Sequence, residues 1–258
     1  MFVGRSGTKV PSMGSMIRNP ILRKRRLLLR VGIQMTVVVT IFALLGGCGG
    51  ESVNSEMYQS RMAAFAKQHI SPGSKMIIGD SITQRWPDDL LPDGFINRGI
   101  SGDTSAGALD RLHFYIEEKP AAIVLFIGVN DILNGFYGDT AINYQKMIDR
   151  IRQALPDTRI YIISILPLVN SLENKIVGQV NDSIREVANS YGIPWINAHD
   201  IFEENGGAIA GYFRADDIHP NRTGYQVLHD CVTPLLDSYE LVVTGESAKQ
   251  ENGQTVSP

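Results

Sequence analysis

A serine, an asparagine and a histidine with a nearby aspartate stand at the ends of apolar runs in this chain, and attack on a carbonyl carbon needs those residue types. Ile77-Ile78 leads into Gly79-Asp80-Ser81-Ile82-Thr83. A serine where a parallel strand hands over to a helix exposes its hydroxyl, and its backbone N–H lacks an intrahelical acceptor. Asp-Ser is also an ordinary helix cap, so this segment alone supports either reading. Gly128-Val129-Asn130-Asp131 follows a second apolar run. The Asn130 amide is a neutral donor suited to a developing oxyanion, and equally to an Asx turn. In Asp216-Asp217-Ile218-His219-Pro220-Asn221, His219 can serve as a base, and a carboxylate three residues earlier can fix its tautomer. Asn97-Arg98-Gly99-Ile100-Ser101-Gly102-Asp103-Thr104 supplies glycines that let amides approach a ligand, and Asp103-Thr104 can cap the next helix.

The elements that must hold these residues alternate. Strands are expected at Lys75–Gly79, Gly94–Asn97, Ala121–Ile127, Arg159–Ile165 and Ile193–Asn197, several of them continuous apolar runs of the kind covered on both faces. Helical spacing is found over Ser55–Gln68, Thr104–Glu118, Asp139–Leu155, Ser171–Tyr191 and Asn221–Leu236. In the first of these, Tyr58, Met62, Phe65 and Ala66 share a face. Strand and helix in alternation predict an α/β fold with a parallel sheet, right-handed crossovers and helices on both sides. Its site should lie outside the carboxyl ends of the strands.

The N-terminus has a different composition. Residues 1–30 hold eight Lys and Arg and no acid, and Val31–Leu45 is largely apolar, as in an export signal. Leu45-Gly46-Gly47-Cys48 resembles the lipobox of bacterial lipoproteins, which implies cleavage after residue 47 and lipid on Cys48. An uncleaved anchor is the alternative, although some fifteen apolar residues are short for a span. Met13 or Met16 are alternative starts. Without the leader's eight basic residues, sixteen Lys and Arg face 27 acids, a net charge of −11 that argues against nucleic acid. With Cys48 lipidated, Cys231 has no partner for an intramolecular disulfide and reads as a small buried residue. The expected organisation is a signal peptide over 1–47, a tether over 48–54, one domain over 55–240 and a disordered polar tail over 241–258.

Taken together and in order, the four polar segments resemble the SGNH or GDSL hydrolases, and the likeness spans Lys75 to Leu236. It implies a flavodoxin-like three-layer α/β/α sandwich around a five-stranded parallel sheet. It also implies Ser81 as nucleophile, His219 as base and Asp216 as the acid orienting it. The implied oxyanion hole is the backbone N–H of Ser81 and of Gly102 with the Asn130 side chain. Asn-Arg-Gly-Ile-Ser-Gly-Asp-Thr is most like the platelet-activating-factor acetylhydrolase branch and bacterial acyl-esterases. The chain has no Gly-x-Ser-x-Gly elbow, no metal-ligand spacing and no Walker-type loop. No cofactor is expected.

His199-Asp200 is the rival catalytic pair and Asp217 the rival acid, while His69, His113 and His229 read as structural. Short connections, with Phe136-Tyr137, Leu168-Val169-Asn170 and Tyr212-Phe213 as candidate walls, favour a short acyl group on a sugar, glycan or lipid head group. The alternatives are a lysophospholipase or thioesterase on longer chains, or a silent glycan-binding module. The expected location is the bacterial cell envelope, with a membrane anchor through Cys48.

Overall fold

The computed structural model describes residues 56–68, 70–169 and 171–251. The expected leader, Cys48 with its tether, Asn170, His69 and the last residues of the expected tail lie outside the described residues. Five parallel strands form the central sheet: β1 (Lys75–Gly79), β2 (Phe95–Gly99), β3 (Ala122–Phe126), β4 (Arg159–Ile163) and β5 (Trp195–Ile196). Their order across the sheet is β2-β1-β3-β4-β5. The direction of winding therefore reverses between β1 and β3, which is where doubly wound folds open a crevice for a ligand. Ile77, Ile78, Ile123, Val124, Leu125 and Ile162 are wholly buried, as strands covered on both faces require.

Helices α1 (Glu56–Lys67), α2 (Ser81–Gln84), α3 (Ser105–Glu117), α4 (Val129–Leu133), α5 (Thr140–Ala154), α6 (Ser171–Ser190) and α7 (Arg222–Glu251) connect and cover the strands. The long ones start and stop within a residue or two of the sequence pattern, α7 excepted. In α1, Tyr58 and Phe65 are buried and Met62 packs against the core, whereas Ala66 is exposed. Helices α2 and α4 are too short to leave a periodic signature. The hairpin β6 (Glu203–Glu204) and β7 (Gly207–Ala208) is likewise unforeseen.

Three boundaries differ for identifiable reasons. Strand β4 stops at Ile163, because the Asn181 side chain takes both the N–H and the C=O of Ile165, each at 2.9 Å. Strand β5 begins late, because the Ile193 amide closes the end of α6 by donating to Ala188 at 2.9 Å. Helix α7 continues past Leu236 to Glu251 with Pro234 inside it, so the first part of the expected tail, from 241 to 251, is helical.

Candidate active site

Ser81 is the first residue of α2, directly after β1. The turn between them is built by Asp80, whose Oδ1 accepts the Ile82 amide at 2.9 Å as a helix N-cap. It also needs Gly79. A Cβ there would come within 2.4 Å of the Phe126 carbonyl oxygen, so only glycine lets β1 and β3 close up behind the serine. Gly99 has the same role on β2, where a Cβ would meet the Gln84 nitrogen at 2.3 Å.

His219 arrives from the opposite end of the chain, 138 residues later, and its Nε2 lies 2.8 Å from the Ser81 Oγ. Its Nδ1 is 2.9 Å from Asp216 Oδ2. A carboxylate only accepts, so Nδ1 carries the proton and Nε2 offers its lone pair to the serine hydroxyl. Asp216 Oδ1 accepts the amides of His219 at 2.9 Å and Ile218 at 3.1 Å, fixing both turn and carboxylate. Asp217, the rival acid, sits at φ +60° in the left-handed region and does not take the imidazole. Below this loop, Tyr225 of α7 donates its hydroxyl to the Ile82 carbonyl at 2.8 Å, locking the helix after the histidine onto the helix that starts with the serine.

The electrostatics follow from burial and neighbours. Burial pulls His219 below the usual histidine value; Asp216 raises it, and Arg85 and Arg214 lower it further. Burial alone would raise Asp216, but the amides of His219 and Ile218 and the imidazole outweigh it, so the carboxyl stays below its ordinary value. Asp80 is pushed up to about 7, chiefly by burial, with Asp103 and Asp131 adding to the rise against the Ile82 amide.

Asn130 is the second residue of α4, after β3, next to the serine's strand. Its Nδ2 donates to the Asp103 carbonyl at 2.8 Å, which uses one N–H of the amide and leaves the other. Gly102 lies at φ +78° in the turn before α3, a conformation that suits glycine. Thr104, the N-cap of α3, accepts the Gly107 amide, while Asp103 turns inward.

The other histidines among the described residues are engaged elsewhere. His199 Nδ1 faces Asp200 at 3.3 Å and Glu203 at 3.2 Å, and its amide donates to the Ser164 hydroxyl. His113 Nδ1 meets the Asp110 carbonyl, and His229 Nδ1 the Leu90 carbonyl. Cys231 is half-buried, and burial raises its thiol. Of the expected walls, Leu168 and Phe213 belong to the core instead, Phe213 packing edge-on to Phe202. Phe136 is 75% exposed, and Tyr137 and Val169 are exposed as well.

A residue absent from the sequence reading ties these parts together. Arg111, fully buried on α3, pairs through Nε with Asp103 Oδ2 at 2.7 Å. Its other nitrogens donate to the carbonyls of Arg98 at 2.9 Å and Gly79 at 3.0 Å, and to the Tyr115 hydroxyl. Burial would lower the Arg111 guanidinium, but Asp103 together with Tyr115 and Tyr58 outweighs it and keeps the group charged. The available signal was an arginine on the apolar stripe of Ala108, Leu112 and Tyr115. A second network fixes α4: Asp131 accepts the Ser105 amide at 2.9 Å, the Ser105 hydroxyl, and the Thr140 hydroxyl at 3.2 Å.

A hydrogen-bonded Ser-His-Asp chain at the carboxyl ends of a doubly wound parallel sheet places the molecule among the three-layer α/β/α hydrolases. Residues 77–227 match the GDSL-like lipase/acylhydrolase family, more than half of the chain, and the chain belongs to that family. It is an ester hydrolase. Over 187 residues it is 28% identical to the esterase TesA of Pseudomonas aeruginosa, a match that covers 66% of this chain and 90% of that one. It is 20% identical over 212 residues to the isoamyl acetate-hydrolyzing esterase of Saccharomyces cerevisiae, covering 74% and 84% of the two chains. Among solved structures, a GDSL-like lipase from Bacteroides thetaiotaomicron superposes with a TM-score of 0.64 at 22% identity, over 70% of this chain and 98% of that one. At that identity the likeness speaks for the fold.

Proposed function

We propose that the protein is a serine esterase that hydrolyses short-chain, acetyl-type carboxylic esters through an acyl-serine intermediate. The observation that carries this reading is the unbroken chain from the Ser81 Oγ to His219 at 2.8 Å and from His219 to Asp216 at 2.9 Å. His219 takes the Ser81 proton as Oγ attacks the carbonyl carbon, then gives it to the departing alcohol. In the second half it takes a proton from the water that releases the acid and returns Ser81 to its starting state. Asp216 holds the tautomer and stabilises the imidazolium. The amides of Ser81 and Gly102 and the free N–H of Asn130 are assigned to the oxyanion.

The short acyl group is favoured by the short connections after the strands. Leu168 and Phe213 are spent in the core and Tyr212 packs against it, which leaves Phe136, Tyr137 and Val169 as the exposed members of the expected walls among the described residues. The yeast relative is named for an acetate ester. The wording of the segment Asn97–Thr104 supports a relation to the platelet-activating-factor acetylhydrolase branch. The basic and apolar leader and the Leu45–Cys48 motif support export and lipid anchoring at Cys48 in a bacterial envelope.

Hydrolysis of p-nitrophenyl esters from acetyl to palmitoyl, with fluorophosphonate labelling of wild type and Ser81→Ala, tests the reading. We expect kcat/KM to be highest for the shortest acyl groups, label on the wild type alone, and a loss of kcat of about 10⁴ or more in Ser81→Ala. A preference for long chains would transfer the protein to lysophospholipase or thioesterase chemistry. An unlabelled wild type would make it a silent binding module.

A further inference from the structure

Two arginines stand beside the Ser81–His219 pair. Arg85 follows Ser81 by one helical turn, its amide donating to the Ser81 carbonyl at 3.0 Å, and residues four apart share a helix face. Arg214 is held against the histidine's own peptide: its amide donates to the His219 carbonyl at 2.8 Å and its Nε to the Pro220 carbonyl at 3.2 Å. Both are exposed, and the charge of each acts on the His219 imidazole, which Asp216 faces from the other nitrogen. Arg98, Arg111, Arg185 and Arg222 all have carboxylate partners. Among the described residues, no carboxylate lies in ion-pair contact with Arg85 or Arg214.

Two such cations oppose the protonation of His219 that every turnover requires, so on an empty site their placement is unfavourable for the chemistry. An anion bound between them would remove the opposition. The alcohol oxygen of the ester must lie within hydrogen-bond reach of His219 Nε2 when it departs, so the alcohol portion leaves from the histidine's side of the site, where both arginine charges act.

We propose that Arg85 and Arg214 form a binding site for a carboxylate or phosphate on the alcohol side of the ester, so that the enzyme selects esters of negatively charged alcohols. This rests on Ser81 and His219 being the catalytic pair. The selectivity is electrostatic and therefore sensitive to salt, and it is independent of the length of the acyl group.

The test compares the full-length protein on meta-acetoxybenzoate and meta-acetoxybenzamide, two acetyl esters that differ chiefly in one negative charge on the leaving group. The expected wild-type kcat/KM is higher for the charged ester. Arg85→Gln and Arg214→Gln should each lower the charged-to-neutral ratio about five- to tenfold, mainly through KM, and the double change more. Raising salt from about 0.05 M to about 0.5 M should shrink the wild-type ratio, an arm that needs no variant. A ratio unmoved by both substitutions and by salt overturns the proposal. Failure to hydrolyse either ester would instead remove the catalytic pair on which it stands. Acetylated galacturonate and acetylglycerol phosphate, each set against its uncharged parent, distinguish a sugar acid from a lipid head group as the source of the charge. If neither exceeds its parent, the proposal is wrong.

Discussion

As the proposed base, His219 must be neutral to take the serine proton, and its surroundings favour that form. Burial and the two arginines lower its affinity for a proton, and Asp216 restores part of it. The net value lies under 6.5, so kcat/KM should be level across neutral pH and fall only as the pH drops below that value. A pH–rate profile whose acid inflection lies above 7 would contradict this assignment. Asp216→Asn removes the group that raises the imidazole, so its inflection should move lower while kcat falls by about 10³ or more. Asn130→Ala should cost about 10² to 10³ in kcat, since the proposed oxyanion donor is lost, and should also lower the melting temperature, since the Asp103 carbonyl loses its partner. Ser81, Asn130, Asp216 and His219 were legible in the sequence because each ends a run or sits at a fixed spacing in a turn. Arg85 and Arg214 were not, because an arginine on a short connection carries no pattern.

Between elements, the loop proposed to supply oxyanion donors is held by a buried charge as well as by the core packing of Ile100. Arg111 of α3 joins the end of β1 through Gly79, the end of β2 through Arg98, and the loop through Asp103, whose carbonyl in turn holds Asn130. Removing only the arginine strands a buried carboxylate, so Arg111→Met should destabilise the domain by about 3 to 5 kcal/mol in urea unfolding. Adding Asp103→Leu to Arg111→Met should recover part of that stability, because no charge is then left unpaired, but not the lost kcat. Full recovery of kcat in the double variant would show that the clamp does not position the oxyanion donors. The long helices and the places of the five strands along the chain were legible from apolar runs and periodicity, whereas the order of the strands across the sheet came from the structure. The clamp was hidden because periodicity treats a charged residue on an apolar stripe as noise. The shortened β5 was hidden because the Ile193 amide is taken by the closing turn of α6.

For the whole molecule, the buried carboxylates around the active site make stability and activity pull in opposite directions with pH. Asp80 titrates at about 7 in the folded chain against 3.8 ordinarily, and burial raises Asp131 as well. Between those two values the folded state holds a proton on Asp80 that the unfolded chain has released, so stability falls as pH rises through this window and levels off above about 7. The full Asp80 effect is on the order of 4 kcal/mol. His219 works the other way, because the unfolded chain takes up its proton first as pH drops below 6.5. Asp89 and Asp216, both lowered, matter only below their ordinary value, outside this window. The larger carboxylate shift should prevail, and the melting temperature should climb as pH is lowered from about 8 to about 5 while turnover declines. Asp80→Asn keeps an oxygen for the Ile82 amide but has no charge to bury. Calorimetry should therefore find it more stable than wild type at pH 8, with the advantage fading toward pH 5. Parallel stability–pH curves for the two proteins would mean that Asp80 is ionised across the range. The turn presenting Ser81 would then carry a buried negative charge beside the developing oxyanion, a penalty that the neutral acid avoids.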